Sequence, residues 1–128
     1  MTDQPQTPAV GIDLGTTFSV VAHLDSQGRP WTISSREGDL TTPSVVLFDD
    51  GQVVVGSEAA KASEFEPGSV ASFAKRDMGN RHFHRVIGGE HLPPEVIQAL
   101  ILLTSGIYVV INLLIDISYA FVDPRIRY

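Results

Sequence analysis

The sequence has no cysteine, which excludes disulfides and any thiolate-held metal. Basic residues are scarce, nine Lys and Arg against fifteen Asp and Glu, for a net charge of −6. A chain of that sign lacks the basic face that non-specific nucleic-acid binding needs, so no nucleic-acid partner is expected. The opening MTDQPQTPAV has no basic segment followed by an apolar one. It reads as a flexible polar arm over residues 1–8, not as a signal peptide. Internal repeats and low-complexity runs are absent. At 128 residues there is room for one ordinary domain but not two. Charge is also missing locally: between Ala99 and Val122 the only formally charged side chain is Asp116, whereas residues 1–95 hold 13 acidic and 7 basic groups.

What is present is ordered by its hydrophobic period. Val10, Ile12 and Leu14 alternate with polar or small neighbours, and Phe18, Val20, Ala22 and Leu24 alternate again, predicting two strands around a tight turn at Gly15-Thr16-Thr17. A third strand is expected at Trp31–Ser35 and a fourth at residues 44–48. The Asp50-Gly51 pair then signals a hairpin returning through Val53–Val55. The period changes after that. Ser57, with Glu58 in the first turn, predicts an N-capped helix over SEAAKASEF, broken by Pro67-Gly68. A second short helix is expected over about residues 69–77, ended by Gly79. Residues 80–95 read as irregular and polar. His82, His84 and His91 fall there, but no third ligand has convincing metal spacing, so they read as loop polarity.

The turn Asp13-Leu14-Gly15-Thr16-Thr17 suits one chemistry in particular. Gly15 lets the backbone approach a phosphate, successive N–H groups can form an anion-binding nest, and the Thr hydroxyls add donors. Asp13, at the mouth of the turn, suits a hydrated Mg²⁺, which keeps its waters and needs few carboxylates. A polar hairpin with no ligand would read the same way from this turn alone.

The turn is followed in order by three further segments. GIDLGTTFSVVA, EGDLTTPSVVLF, VVVGSEAAKAS and FAKRDMG together resemble the start of the nucleotide-binding domain of the DnaK-type heat-shock chaperones, the heat shock protein 70 family. The resemblance implies an α/β fold, a partial actin-like ATPase (ribonuclease-H-like) lobe with antiparallel hairpins over residues 9–95. It implies ATP or ADP with Mg²⁺ as ligands, ATP-dependent chaperone work as the inherited role, and a cytoplasmic head. By the same resemblance Asp13 matches the carboxylate beside the Mg²⁺-bound waters, and Gly15, Thr16, Thr17 and Phe18 match the first phosphate loop. Lys75 matches the lysine that reaches the γ-phosphate and positions the attacking water, a role of placement and charge that phosphoryl transfer requires. The family's cleft closes between two lobes, and segments matching the second are not found. One wall alone is expected to bind ATP weakly or not at all and not to hydrolyse it usefully. The apolar surface left open is expected to favour self-association.

The tail departs from that pattern. Fourteen of the 24 residues Ala99–Val122 are Leu, Ile, Val or Phe, with no sustained polar stripe, which predicts one membrane-spanning helix. INLLIDISYAFVDPRIRY resembles the last helix and cytoplasmic end of dipeptide and oligopeptide ABC transporter permeases. Residues 96–128 therefore read as a permease-like helix and tail, giving the whole a chimera-like, single-pass organisation with a join near residues 95–104.

Overall fold

The computed structural model describes residues 9–122; the polar arm and the terminal DPRIRY lie outside the described residues. β1 (Val10–Leu14) and β2 (Phe18–Leu24) form the expected antiparallel hairpin, with Leu14 opposite Ser19 and Asp13 opposite Val20. The far half of β2 pairs with β3 (Pro30–Ile33), and its near end pairs with the two-residue β4 (Thr42–Pro43). A second antiparallel sheet has β5 (Val45–Asp49) in the middle, flanked by β6 (Gln52–Val55) and β7 (Val70–Ser72). The turn between β5 and β6 has positive φ at both Asp50 and Gly51, the backbone that an Asp-Gly hairpin supplies at low cost.

Three local expectations are corrected. Gly56, not Ser57, caps the helix α1 (Ser57–Ala62): its φ of 105° is open to glycine, and the Ser57 hydroxyl instead donates to Asp39 Oδ2 at 3.4 Å. The helix also stops at Ala62, three residues short of Phe65. Residues 69–77 are not a helix. Ser69 closes a 3-10 turn begun at Pro67, Val70–Ser72 fill the open edge of β5 as β7, Phe73 turns the chain in the left-handed region at φ 60°, and Ala74–Asp77 form a second 3-10 turn. Here a free strand edge outweighs local helix propensity, because pairing satisfies backbone groups and buries Val70 and Ala71.

The loop before α2 is irregular as expected, but it is not merely polar. The Phe83 N–H donates to the Leu92 carbonyl at 2.8 Å, and Ile87 bridges to Glu90. This folded loop delivers Phe83 and Ile87 to the core. There they meet Val46 of β5, Ala71 of β7, Ala74 and, from α2 (Pro94–Val122), Ile97 and Ile101.

α2 is the element that joins the sheets. Ile97, Ile101 and Ser105, four residues apart and all nearly inaccessible, lie on one stripe and dock on the head. The stripe then thins: Tyr108, Val109 and Asn112 carry it on only half-buried, with Tyr108 beside Arg36 and Glu37. Beside and beyond it, Ile107, Val110, Ile111, Leu113 to Ile115 and Ile117 are all exposed. The helix from Pro94 to Tyr119 is long and apolar enough to cross a membrane, although its first turns are core turns of the head.

Candidate functional site

The hairpin turn is held from behind. The Ser44 N–H donates to the Thr17 carbonyl at 2.8 Å, and the Ser44 hydroxyl donates to the Gly15 carbonyl at 2.9 Å. The buried Ser19 hydroxyl in turn donates to Ser44 Oγ at 2.9 Å. Both serines are buried and satisfied, as buried hydroxyls must be. Ser44 lies in the quoted TTPS segment, yet no role followed from sequence, because the bonds join residues 29 positions apart. Gly15 leaves no room for a substituent. A Cβ there would stand 2.1 Å from the Phe18 carbonyl oxygen, so the turn closes this tightly only with glycine. Thr16 is half-buried, while Thr17 and Phe18 face solvent.

The 3-10 turn brings Lys75 to this hairpin. Its ammonium donates to the Leu14 carbonyl at 2.7 Å, across 61 residues of sequence. Lys75, Asp13 and Leu14 line one cleft of about 560 Å³ with Ile12, Met78 and Gln98. The structure thus brings together Asp13 and Lys75, and it places the Gly15–Phe18 turn directly after the strand that carries Asp13. Gln98 was not anticipated. It is a polar residue inside an apolar helix, a weak signal that gains meaning only from its position in the cleft. Asp13 is exposed and has no ion-pair partner among the described residues. One free carboxylate fits a Mg²⁺ that keeps its own waters. No group of three His, Asp or Glu is placed for direct coordination among the described residues, and the His82 and His91 rings sit 5.4 Å apart without a third ligand.

Behind Lys75, the same 3-10 turn is pinned by Asp77. Its Oδ2 accepts from the His84 ring Nδ1 at 2.6 Å and from the His84 N–H at 3.0 Å. These bonds, the ring contact first, hold the Asp77 carboxyl below the usual carboxylate range. A depressed folded pKa means stability that is present above the unfolded value of about 4 and is lost as pH falls through the lower folded value. His84→Ala removes the ring bond and keeps the backbone one. The Asp77 titration midpoint, followed by carboxyl ¹³C NMR, is therefore expected to rise part of the way back, and the resistance of this turn to acid to shrink. An unchanged midpoint would show that the ring does not set it.

The model of the Hsp70 protein family matches residues 9–99. The chaperone protein DnaK of Mycoplasmopsis agalactiae is 45% identical over 94 residues, covering 73% of this chain and 15% of that protein. The chaperone protein DnaK of Halobacterium salinarum is 39% identical over 93 residues, again 73% of this chain and 15% of that protein. The chain therefore spans about 15% of the length of the curated relatives it matches. The match runs from the β1 hairpin into the first docked turn of α2, through every element that lines the cleft. On that match, the chain belongs to the Hsp70 family.

Proposed function

We propose that residues 9–99 form one wall of a Mg²⁺–nucleotide cleft of an Hsp70-type ATPase, able to hold the phosphates but not to hydrolyse ATP without an opposing wall. The observation that carries this reading is the convergence of Asp13 and Lys75, from distant parts of the chain, on one cleft beside a turn that only glycine can close. In it, the backbone N–H groups of Gly15, Thr16, Thr17 and Phe18 and the hydroxyls of Thr16 and Thr17 take the phosphate oxygens. Asp13 holds the waters of Mg²⁺, which when bound supplies charge neutralisation at the phosphates. Lys75 exchanges its bond to the Leu14 carbonyl for a phosphate oxygen and, in a closed cleft, orients the attacking water. The head then works where ATP is abundant, in the cytoplasm, with α2 as a single-pass membrane anchor and its exposed apolar half as the surface for self-association.

Isothermal calorimetry on the full chain in detergent micelles tests this. Mg-ATP is expected to bind with a dissociation constant of roughly a millimolar, about 4 kcal/mol of binding free energy, with no ATP turnover. Lys75→Ala is expected to weaken it at least ~10-fold, through loss of one charge-assisted contact. A folded wild-type sample that takes up no Mg-ATP would end the proposal.

A further inference from the structure

Gln98 is the fifth residue of α2, next to the fully buried Ile97. The residue is only 9% exposed, and its Nε2 has no hydrogen-bond partner among the described residues. The same side chain lines the cleft that holds Asp13 and Lys75. A buried donor left unpaired costs about 1–3 kcal/mol, and folded proteins tolerate few such groups. Its neighbours on the helix are Ile97, Ala99, Leu100 and Ile101. A leucine would fit that setting and remove the cost. The amide is thus expensive to the empty protein; its Nε2 is itself shielded, and a turn of the side chain into the cleft it lines would let a ligand relieve it.

We infer that Gln98 is a third polar contact of the nucleotide cleft, its Nε2 donating to an oxygen of the bound phosphates alongside the Lys75 ammonium. This rests on the nucleotide reading of the cleft and adds to it a residue from α2. A neutral amide suits the position. It supplies a donor without placing a second carboxylate near Asp13, which would repel the phosphates, and without a second cation to pair with Asp13 and block the Mg²⁺ side. The contact also ties ligand binding to α2, the helix that bridges the two sheets.

The test uses the full chain in detergent micelles, with Mg-ADP as the probe, and compares wild type with Gln98→Leu and Gln98→Glu. Gln98→Leu is expected to weaken Mg-ADP about tenfold, the equivalent of ~1.4 kcal/mol. Its ligand-free thermal midpoint should hold or rise, because an orphaned donor has been removed. Gln98→Glu is expected to weaken binding further, and more so at low ionic strength. Wild-type affinity in Gln98→Leu would overturn the inference while leaving the nucleotide reading standing. So would a drop of several degrees in its ligand-free midpoint with unchanged affinity, since the amide would then have a structural partner. No Mg-ADP binding by the wild type would remove both.

Discussion

Gly15→Ala is expected to lower the stability of the head by about 3 kcal/mol, the upper part of the range for forced overpacking, and to abolish Mg-nucleotide binding. The cause is local. The new Cβ would lie 2.1 Å from the Phe18 carbonyl oxygen, a backbone atom that cannot swing aside as a side-chain tip can. The hairpin must therefore open or shift. Opening moves the Gly15 and Thr17 carbonyls away from Ser44, whose N–H and hydroxyl would lose their partners. The buried Ser19 and Ser44 hydroxyls would then have to find other acceptors. Against a total stability of about 5–15 kcal/mol for a small domain, this is a large fraction. Gly11→Ala, on the strand that leads into this turn, is the control. Nothing stands within 4 Å of a Cβ there, so its effect is expected to stay within about 0.5 kcal/mol, as for ordinary surface changes. Urea unfolding of both variants, with Mg-ADP calorimetry, separates the outcomes. Equal midpoints for the two would show that the turn relaxes freely, and retained binding in Gly15→Ala would show that its tight closure is not needed for the phosphates.

The two hairpins were legible because everything that specifies them is local. Alternation over residues 10–24 marks the two strands, although β2 buries Ser19 and Val21 rather than the alternating Phe18, Val20, Ala22 and Leu24; Gly15 marks the first turn, and Asp50-Gly51 encodes the second through two positive φ angles. Residues 69–77 were not legible for the opposite reason: β7 exists only because β5 offers an edge, and the pairing of Val46 with Ala71 is invisible in either segment alone. Asp13, the turn and Lys75 could be named from the order of motifs, but their convergence could not, because it depends on the 3-10 turn that replaces the expected helix. Ser44 and Gln98 stayed hidden longest, one a serine behind a turn, the other an amide in an apolar helix, each defined by what it faces. The tail was legible as a helix but not as two halves. Hydropathy reads Ile101 and Ile111 alike, whereas one is 1% exposed and the other 48%.

That division of α2 leads to the second large effect. Replacing Ile97 and Ile101 together by Ala is expected to destabilise the head by about 4–8 kcal/mol, taking about 2–5 kcal/mol for each buried aliphatic truncated and allowing for coupling between neighbours. Both side chains are within 1% of full burial, and both belong to the cluster in which Val46, Ala71 and Phe83 meet. Their loss detaches the helix that bridges the two sheets. Ile111→Ala with Ile115→Ala removes the same atoms from the exposed half, 48% and 45% accessible, and is expected to leave head unfolding unchanged. Hydrogen exchange of the β2 and β5 amides in detergent reads both. Equal protection in the two double variants would mean that α2 does not dock as described.

On the proposed single-pass reading, the same pair of variants bears on the membrane, because docking and spanning would compete for one stretch of helix. With Ile101, Ser105 and the half-buried Tyr108 held against the head, residues 109–122 remain, ~21 Å of helix at about 1.5 Å per residue. A hydrocarbon core is about 30 Å thick, and this shorter segment would carry Asp116 well inside it, at up to ~3 kcal/mol. A span over residues 99–122 fits the thickness better and moves Asp116 further from the midplane, but it must pull Ile101 out of the core. Lipid compensates for that loss only in part, since it takes up the isoleucine while leaving a cavity at Val46 and Phe83. In vesicles, amides 99–105 of the wild type are therefore expected to keep the protection they have in detergent. In the Ile97→Ala, Ile101→Ala variant the docking energy is gone, and the inserted segment is expected to extend toward residue 99. Insertion of the same length in both would mean that the head never restrains the helix.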